Sequence, residues 1–325
     1  KHSVREQESL DVIKSTNTLS SPILRLNQIS KHFPGTVALN NIDFDLKAGE
    51  VHILFGENGA GKSTLIQIIA GVFKQTSGDL SLYDEPVDLQ SVHHARSIGI
   101  SSVFQEFSLI PQLSVEENLF LGDEPSKAGF LKKSETKRRA KNILDRLGFS
   151  LRHDNLVMYL SRAEQQMVEI AKAFRTKPSI LILDEPTSSL TEKETDRLFE
   201  LIAEMRNQQI GIIYITHRMS EINRIGDRVT VFRDGCKVTT ENVSDVDDNK
   251  LVQLMTGRVI TQMFPKISFK PGPSLLQTQR LSTADNSLHD NSINVRAGEV
   301  VGLAGLIGSG KSQIGRACFG PEKLA

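Results

Sequence analysis

No apolar run in the sequence approaches the length needed to cross a bilayer, so any role at a membrane has to come through a partner. An excess of one charge is also missing. The 39 Lys and Arg balance the 39 Asp and Glu, which excludes a chain that grips nucleic acid by bulk charge, a local patch apart. There are two cysteines, Cys236 and Cys318, far apart and in neither metal nor redox spacing. A reducing compartment is the simple inference. Residues 1–21 lack the apolar segment of a signal peptide and read as a flexible leader; because the chain starts at Lys1, a native start upstream is expected. With 38% hydrophobic and 24% charged residues in 325, the rest has the composition of a soluble globular protein, with room for two domains or one large one.

What is present is organised around one loop. Gly56, Glu57, Asn58, Gly59, Ala60, Gly61, Lys62 and Ser63 spell G-x-x-x-x-G-K-S. The run VHILF before it reads as a buried strand, and the run from Thr64 to Gly71 as a helix. Strand, glycine loop, helix is the context a phosphate-binding loop requires. The glycines let the backbone turn its N–H groups inward onto phosphate oxygens, and the helix N-terminus adds partial positive charge. Lys62 is placed to reach β- and γ-phosphates and the Ser63 hydroxyl to ligate Mg²⁺.

The rest of the chain supplies candidates for the same chemistry. Strands are expected at 23–26 and 42–46, with a turn at 31–35 between them. Phe33 in that turn suits either stacking on an adenine ring or packing on the core, and spacing does not choose. A small polar helix carries His93 and His94, which point to different sides and make a poor metal pair. The run 98–104 reads as a buried strand ending at Gln105 and Glu106, where α/β sheets present groups to ligands. Residues 114–175 read as helix throughout, opened by a Ser114/Glu117 capping box, with Ser161 capping the last helix; the basic run at 132–141 reads as a solvated face. The run PSILILDE at 178–185 is continuously apolar until two acids end it. That is the form of a doubly buried parallel strand with Asp184 placed to hold Mg²⁺ and Glu185 to orient or deprotonate water. A helix from Thr191 and a strand at 210–215 follow, ending at Thr216 and His217. If that strand lies beside the acidic one, His217 faces the γ-phosphate. A hairpin around Arg233-Asp234-Gly235 and a helix near 248–255 close the domain.

Residues 264–273 hold prolines and a glycine and read as a linker. Beyond it the chain begins again. The AGEV before the first loop returns as Ala297-Gly298-Glu299-Val300, and the loop itself as Gly305, Gly308, Gly310, Lys311 and Ser312, at a constant offset. This is duplication of a domain. The second copy runs only to Ala325 and is expected to be the opening of a second ATPase domain.

In order and spacing, Phe33, the loop from Gly56 to Ser63, Gln105, Leu160-Ser161, Asp184-Glu185 and His217 resemble the ATP-binding cassette (ABC) ATPases. The strings FQEFSLIPQLSVEENLFLG, EQQMVEIAKAF, DEPTSSLTEKE, YITHRMSEI and AGEVVGLAGLIGSGKS resemble, more narrowly, the duplicated ATPase subunits of bacterial monosaccharide importers. The resemblance implies an α/β fold: a P-loop NTPase with a RecA-like parallel-sheet core, an antiparallel β subdomain and an inserted helical subdomain at about 112–175. It implies a first ABC domain over 22–263 and the start of a second over 274–325. ATP and Mg²⁺ are the implied ligands, with Phe33, residues 56–63, Thr64 and Ser161 on nucleotide, and Ser63, Gln105 and Asp184 on the metal. Glu185 is the implied catalytic carboxylate, with His217 and Gln105 as γ-phosphate contact and sensor. The second loop, from Gly305 to Ser312, is implied to bind nucleotide too. The implied partners are transmembrane permease subunits and, through them, a periplasmic or extracellular sugar-binding protein. A second ABC domain is implied as well, from the same longer chain or a second copy, and no nucleic acid. The implied place is peripheral, on the cytoplasmic face of the membrane.

Two departures from the family pattern stand out. The signature normally close to L-S-G-G-Q reads Leu160-Ser161-Arg162-Ala163-Glu164, putting a long side chain and a carboxylate where phosphate should approach. Lys311 is intact where the sugar-importer family often carries Arg. The alternatives to an importer subunit are a soluble ABC ATPase acting on ribosomes or nucleic acid, and a regulatory nucleotide-binding module without turnover. The balanced charge and the Gln105-Glu106 context favour the importer; Glu185 and His217 argue against the regulatory module.

Overall fold

The computed structural model of the chain describes residues 21–127, 130–175, 178–257, 270–305 and 309–320. The expected leader and most of the expected linker lie outside them, as does the expected domain boundary after residue 263. Two compact units are distinguished, Lys1–Val259 and Ile260–Ala325.

The first unit opens with an antiparallel sheet. β1 (Pro22–Phe33) pairs with β2 (Thr36–Lys47), and their alternating buried and exposed residues mark strands with one face in the core. β3 (Val51–Gly56) is buried along its whole length. It leads into the phosphate-loop region and helix α1 (Lys62–Ile69). β4 (Ser77–Leu82) and β5 (Glu85–Pro86) complete the antiparallel sheet in the order β2-β1-β4-β5. Helix α2 (Val92–Ser97) then carries the chain to β6 (Ile100–Val103).

The region 114–175 is not continuous helix, which corrects that expectation. α3 (Val115–Phe120) does carry the expected Ser114/Glu117 capping box. It stops at Gly122, with φ 79°, and a small hairpin follows, β7 (Ser126–Lys127) with β8 (Phe130–Leu131). α4 (Lys133–Leu147) ends on Gly148, whose left-handed conformation stops the helix. A non-helical stretch with one 3₁₀ turn, Val157–Tyr159, precedes α5 (Arg162–Ala173). Helical periodicity was present in each piece; the glycines between them break it.

β9 (Ile180–Asp184), α6 (Glu192–Asn207), β10 (Gly211–Ile215), α7 (Met219–Ile225), β11 (Arg228–Arg233), β12 (Cys236–Asn242) and α8 (Asp248–Thr256) complete the unit. The central sheet runs β12-β11-β3-β10-β9-β6, parallel except for the edge strand β12. Its inner strands show why their sequences are unbroken apolar runs. Ile180 and Ile182 of β9 join a core shared with the antiparallel sheet and α1, while Leu181 and Leu183 face a second core with α6. A third core, with Leu119, Ala140, Leu144, Leu147 and Val168, belongs to the helical region. Arg228 at the start of β11 ties the two sheets together through Asp45 at 2.8 Å and through Glu50.

In the second unit β13 (Ser274–Leu281) and β14 (Asn291–Arg296) form an antiparallel hairpin, and α9 (Lys311–Phe319) follows the second loop. Gly305 (φ 159°) and Gly310 (φ 85°) repeat the conformations of Gly56 (φ 156°) and Gly61 (φ 101°). Lys311 donates to the Gly305 carbonyl. Gly308 lies outside the described residues.

The two sheets of the first unit meet closely at Gly211. A β-carbon there would lie 2.6 Å from Ile23 Cδ1 and 2.9 Å from both Leu46 Cδ2 and the Lys47 carbonyl. Gly211→Ala is therefore expected to destabilise the protein by about 1–3 kcal/mol, the usual cost of overpacking. Urea unfolding checks this; an unchanged midpoint would show that the sheets can part without cost.

Candidate functional site

The carboxyl ends of β3, β9 and β10 lie side by side, so whatever follows them in sequence meets in space. After β3 the chain must pass under β11. A β-carbon on Gly56 would sit 2.3 Å from the Phe232 carbonyl, so only glycine fits. Gly61 is the N-cap of α1, with φ 101° and no side-chain cap, which leaves the first N–H groups of that helix for a ligand. The loop between them is held from behind. The hairpin tip at Gly235 donates its N–H to the Ala60 carbonyl at 3.2 Å and accepts from Asn40 N–H at 2.9 Å. Lys62 folds back over the loop, its Nζ donating to the carbonyls of Gly56 at 2.7 Å and Glu57 at 2.9 Å.

Across from the loop stand the acids. Asp184 ends β9 and is buried. Glu185 follows in the left-handed region at φ 45°, a strained conformation for a non-glycine residue, and its N–H reaches the Ile215 carbonyl at 3.0 Å. Its Oε1 lies 3.1 Å from His217 Nδ1, which comes from the end of β10. Burial, then the neighbouring Glu185 charge, push the Asp184 carboxyl up to about 6, with Lys62 pulling the other way. Burial also pushes the Lys62 ammonium down, opposed by Glu185 and Asp184.

These groups surround one cleft of about 1030 Å³. Gly56, Glu57, Asn58, Gly59, Gly61, Lys62, Ser63, Thr64, Gln105, Asp184, Glu185 and His217 all line it. A buried lysine with free helix-terminal N–H groups suits a polyphosphate. An acid pair that burial leaves electrostatically crowded, in the same cleft as Ser63, suits a divalent cation shared with that phosphate. Among the described residues, no three His, Cys, Asp or Glu side chains are grouped to hold a metal by themselves.

The remaining expected residues lie elsewhere. Ala60 is buried behind the loop. Phe33 does not line the cleft: its ring meets Phe73 edge-on, centroids 5.5 Å apart, with Lys31 Nζ 5.1 Å above it. Ser161 caps α5 in a full capping box, and the Glu164 carboxylate accepts from both Ser161 N–H at 2.7 Å and Ser161 Oγ at 2.8 Å. The carboxylate thus occupies the very donors that a signature serine would offer to phosphate. Arg162 lies beside it with its guanidinium 5.0 Å over the Phe107 ring, lining a separate depression with Gln105, Glu106, Ser188 and Ser189. Gly305, Gly310, Lys311 and Ser312 belong to the second unit. Sequence reasoning missed the other wall of the cleft: Thr36, Val37, Ala38, Asp234, Gly235 and Met255. The Asp-Gly turn was legible as a hairpin, but nothing in it announced a neighbouring phosphate loop.

The ABC transporter family model matches residues 39–188. The chain is 46% identical over 303 residues to the ribose import ATP-binding protein RbsA 3 of Rubrobacter xylanophilus, covering 93% of this chain and 61% of that protein. It therefore spans about three fifths of the length of this curated relative. Among solved structures it is similar to cbiO1 from Clostridium perfringens, part of the ABC transporter complex cbiONQ, at 30% identity and TM-score 0.60, covering 72% of this chain and 93% of that one. A nucleotide-free ATP-binding cassette from an ABC transporter is similar at 25% identity and TM-score 0.65, with 72% and 98% covered.

The Asp184 carboxyl gives a pH signature. Folded, it holds its proton up to about pH 6, against an ordinary 3.8, so its contribution to stability is full below 3.8 and is lost as pH rises through about 6. Asp184→Asn is expected to stabilise the nucleotide-free protein at pH 7.5 by about 1–3 kcal/mol, with the gain shrinking towards pH 4. Thermal unfolding of both proteins at pH 7.5 and 4.5 checks this; an equal difference at the two values contradicts it.

Proposed function

Because this chain belongs to the ABC transporter family of ATP-binding cassettes, we propose that it is the ATP-binding and ATP-hydrolysing part of an importer that energises uptake of a monosaccharide. The observation that carries the reading is the cleft itself, where the phosphate loop, Asp184, Glu185, His217 and Gln105 converge from separate strands. The similarity to a ribose import ATP-binding protein over 93% of the chain supports the sugar. No helix among the described residues is long and apolar enough to cross a membrane. Passage of the solute belongs, in this reading, to permease subunits. In this reading a sugar-binding protein outside the membrane delivers the sugar to the permease. The cassette works at its cytoplasmic face beside a second ABC domain.

The chemistry follows from the residues. The N–H groups of the loop and of the first turn of α1 bind the β- and γ-phosphates, and Lys62 leaves its carbonyl contacts to join them. Ser63, Asp184 and Gln105 would hold a Mg²⁺, which would offset the phosphate charge. Glu185 accepts a proton from the attacking water, and His217, hydrogen-bonded to it, contacts the γ-phosphate. Val37 and Met255 line the opposite wall of the cleft, to which this reading assigns the adenosine, and Phe33 would have to leave Phe73 to stack on it.

In the full-length chain assembled with its permease, Glu185→Gln is expected to lower ATP turnover about 100-fold or more while ATP binding changes little. Equilibrium binding and phosphate release measure the two; retained turnover removes Glu185 from the chemistry. ATP-dependent uptake of labelled ribose or galactose by vesicles carrying the assembly tests the importer reading. Turnover without association with any permease would favour the soluble alternative.

A further inference from the structure

Glu221 sits on α7, away from the cleft lining, and is 3% exposed. Its carboxylate accepts hydrogen bonds from three hydroxyls. Thr187 Oγ1 donates to Oε1 at 2.6 Å; Tyr214 OH and Thr216 Oγ1 donate to Oε2 at 2.9 and 2.8 Å. Among the described residues, the cation in contact with it is Arg218, whose Nη1 is 3.4 Å from Oε1. A buried carboxylate is costly, and a long contact to one guanidinium offsets little of that cost. Stability alone would be served as well by apolar groups in place of the carboxylate and its three hydroxyl donors together. The arrangement therefore asks for another reason.

The reason lies in what the donors carry. Thr187 is two residues after Glu185, and Thr216 is the residue before His217. The ladder between β9 and β10 ends at the pair Asp184 and Ile215. One further backbone bond, Glu185 N–H to Ile215 O, extends it. Glu221 takes over there, one carboxylate oxygen on each chain end. Thr216 Oγ1 also accepts from Arg218 N–H at 3.0 Å, which fixes the turn on the far side of His217. Glu185 holds a left-handed φ that only an over-determined surrounding maintains, and the Thr187 anchor closes that surrounding.

We propose that Glu221 is a positioning residue for ATP hydrolysis: it sets the separation of Glu185 and His217 by bridging the two loops that bear them. This rests on the hydrolytic reading above. The test uses the full-length chain assembled with its permease. Wild-type turnover comes first; if the wild-type assembly does not hydrolyse ATP, both readings fall. Given turnover, Glu221→Gln loses one acceptor site and is expected to lower kcat about 10–100-fold with KM for ATP within about threefold, a loss of alignment rather than of binding. In a His217→Ala background the same change is expected to cost less than about threefold, because the partner it positions is already gone. Thr187→Val combined with Thr216→Val is expected to reproduce the kcat loss, and carries the test if Glu221→Gln does not fold. Tyr214→Phe, which frees neither loop, is expected to leave kcat within about twofold. An unchanged kcat, a loss confined to KM, or equal losses in the wild-type and His217→Ala backgrounds overturns the proposal.

Discussion

Where the ladder between β9 and β10 ends, the N–H of Glu185 still reaches the carbonyl of Ile215 at 3.0 Å, and the reactive edge of the molecule is set out from that bond. It forces Glu185 into the left-handed region and turns its carboxylate to His217 at 3.1 Å. The parallel pairing behind it can hold only because both faces of β9 and β10 are buried, one on the antiparallel sheet and one on α6. Position of the acids is thus a property of the sheet, and exposure of the cleft is a property of its edge.

The phosphate loop answers to a different constraint, steric closeness. Gly56 passes 2.3 Å, measured from its would-be β-carbon, from the Phe232 carbonyl, and Gly61 comes as close as 2.7 Å to Leu39. The three elements β2, β11 and the loop are packed too tightly for side chains. Lys62 bonds its own loop's carbonyls, and Lys311 makes the same contact with Gly305 in the second unit. The two glycine conformations and the lysine contact recur in both units, as expected if the glycine-lysine spacing sets them.

Much of this was readable in advance where one physical signal dominated. Continuous apolar runs located β3, β9 and β10, and the acids and histidine at their ends converged because parallel strands bring like ends together. The helical region was misread because the apolar residues of α3, α4 and α5 keep a helical period while Gly122 and Gly148 break the chain between them. Glu164 was legible as a charge near a signature, but its capture by Ser161 needed the geometry of the capping box. Asp234, Met255 and Glu221 gave no signal, since a lone residue whose role depends on a distant element has no local pattern. Phe33 stayed open in the sequence, and its ring packs edge-on against Phe73.

The brace behind the loop has a thermodynamic consequence. Gly235 holds the Ala60 carbonyl through its N–H, and β2 holds Gly235 in turn through Asn40. The curvature of the cradle is therefore paid for during folding, by contacts that no ligand makes. A polyphosphate arriving there meets donors already oriented and has little chain to freeze, so the entropy lost on binding falls on the ligand and its water rather than on the protein. In such a site tightness of binding and stiffness of the scaffold share one origin, and loosening the hairpin would weaken affinity without altering a single group that touches phosphate.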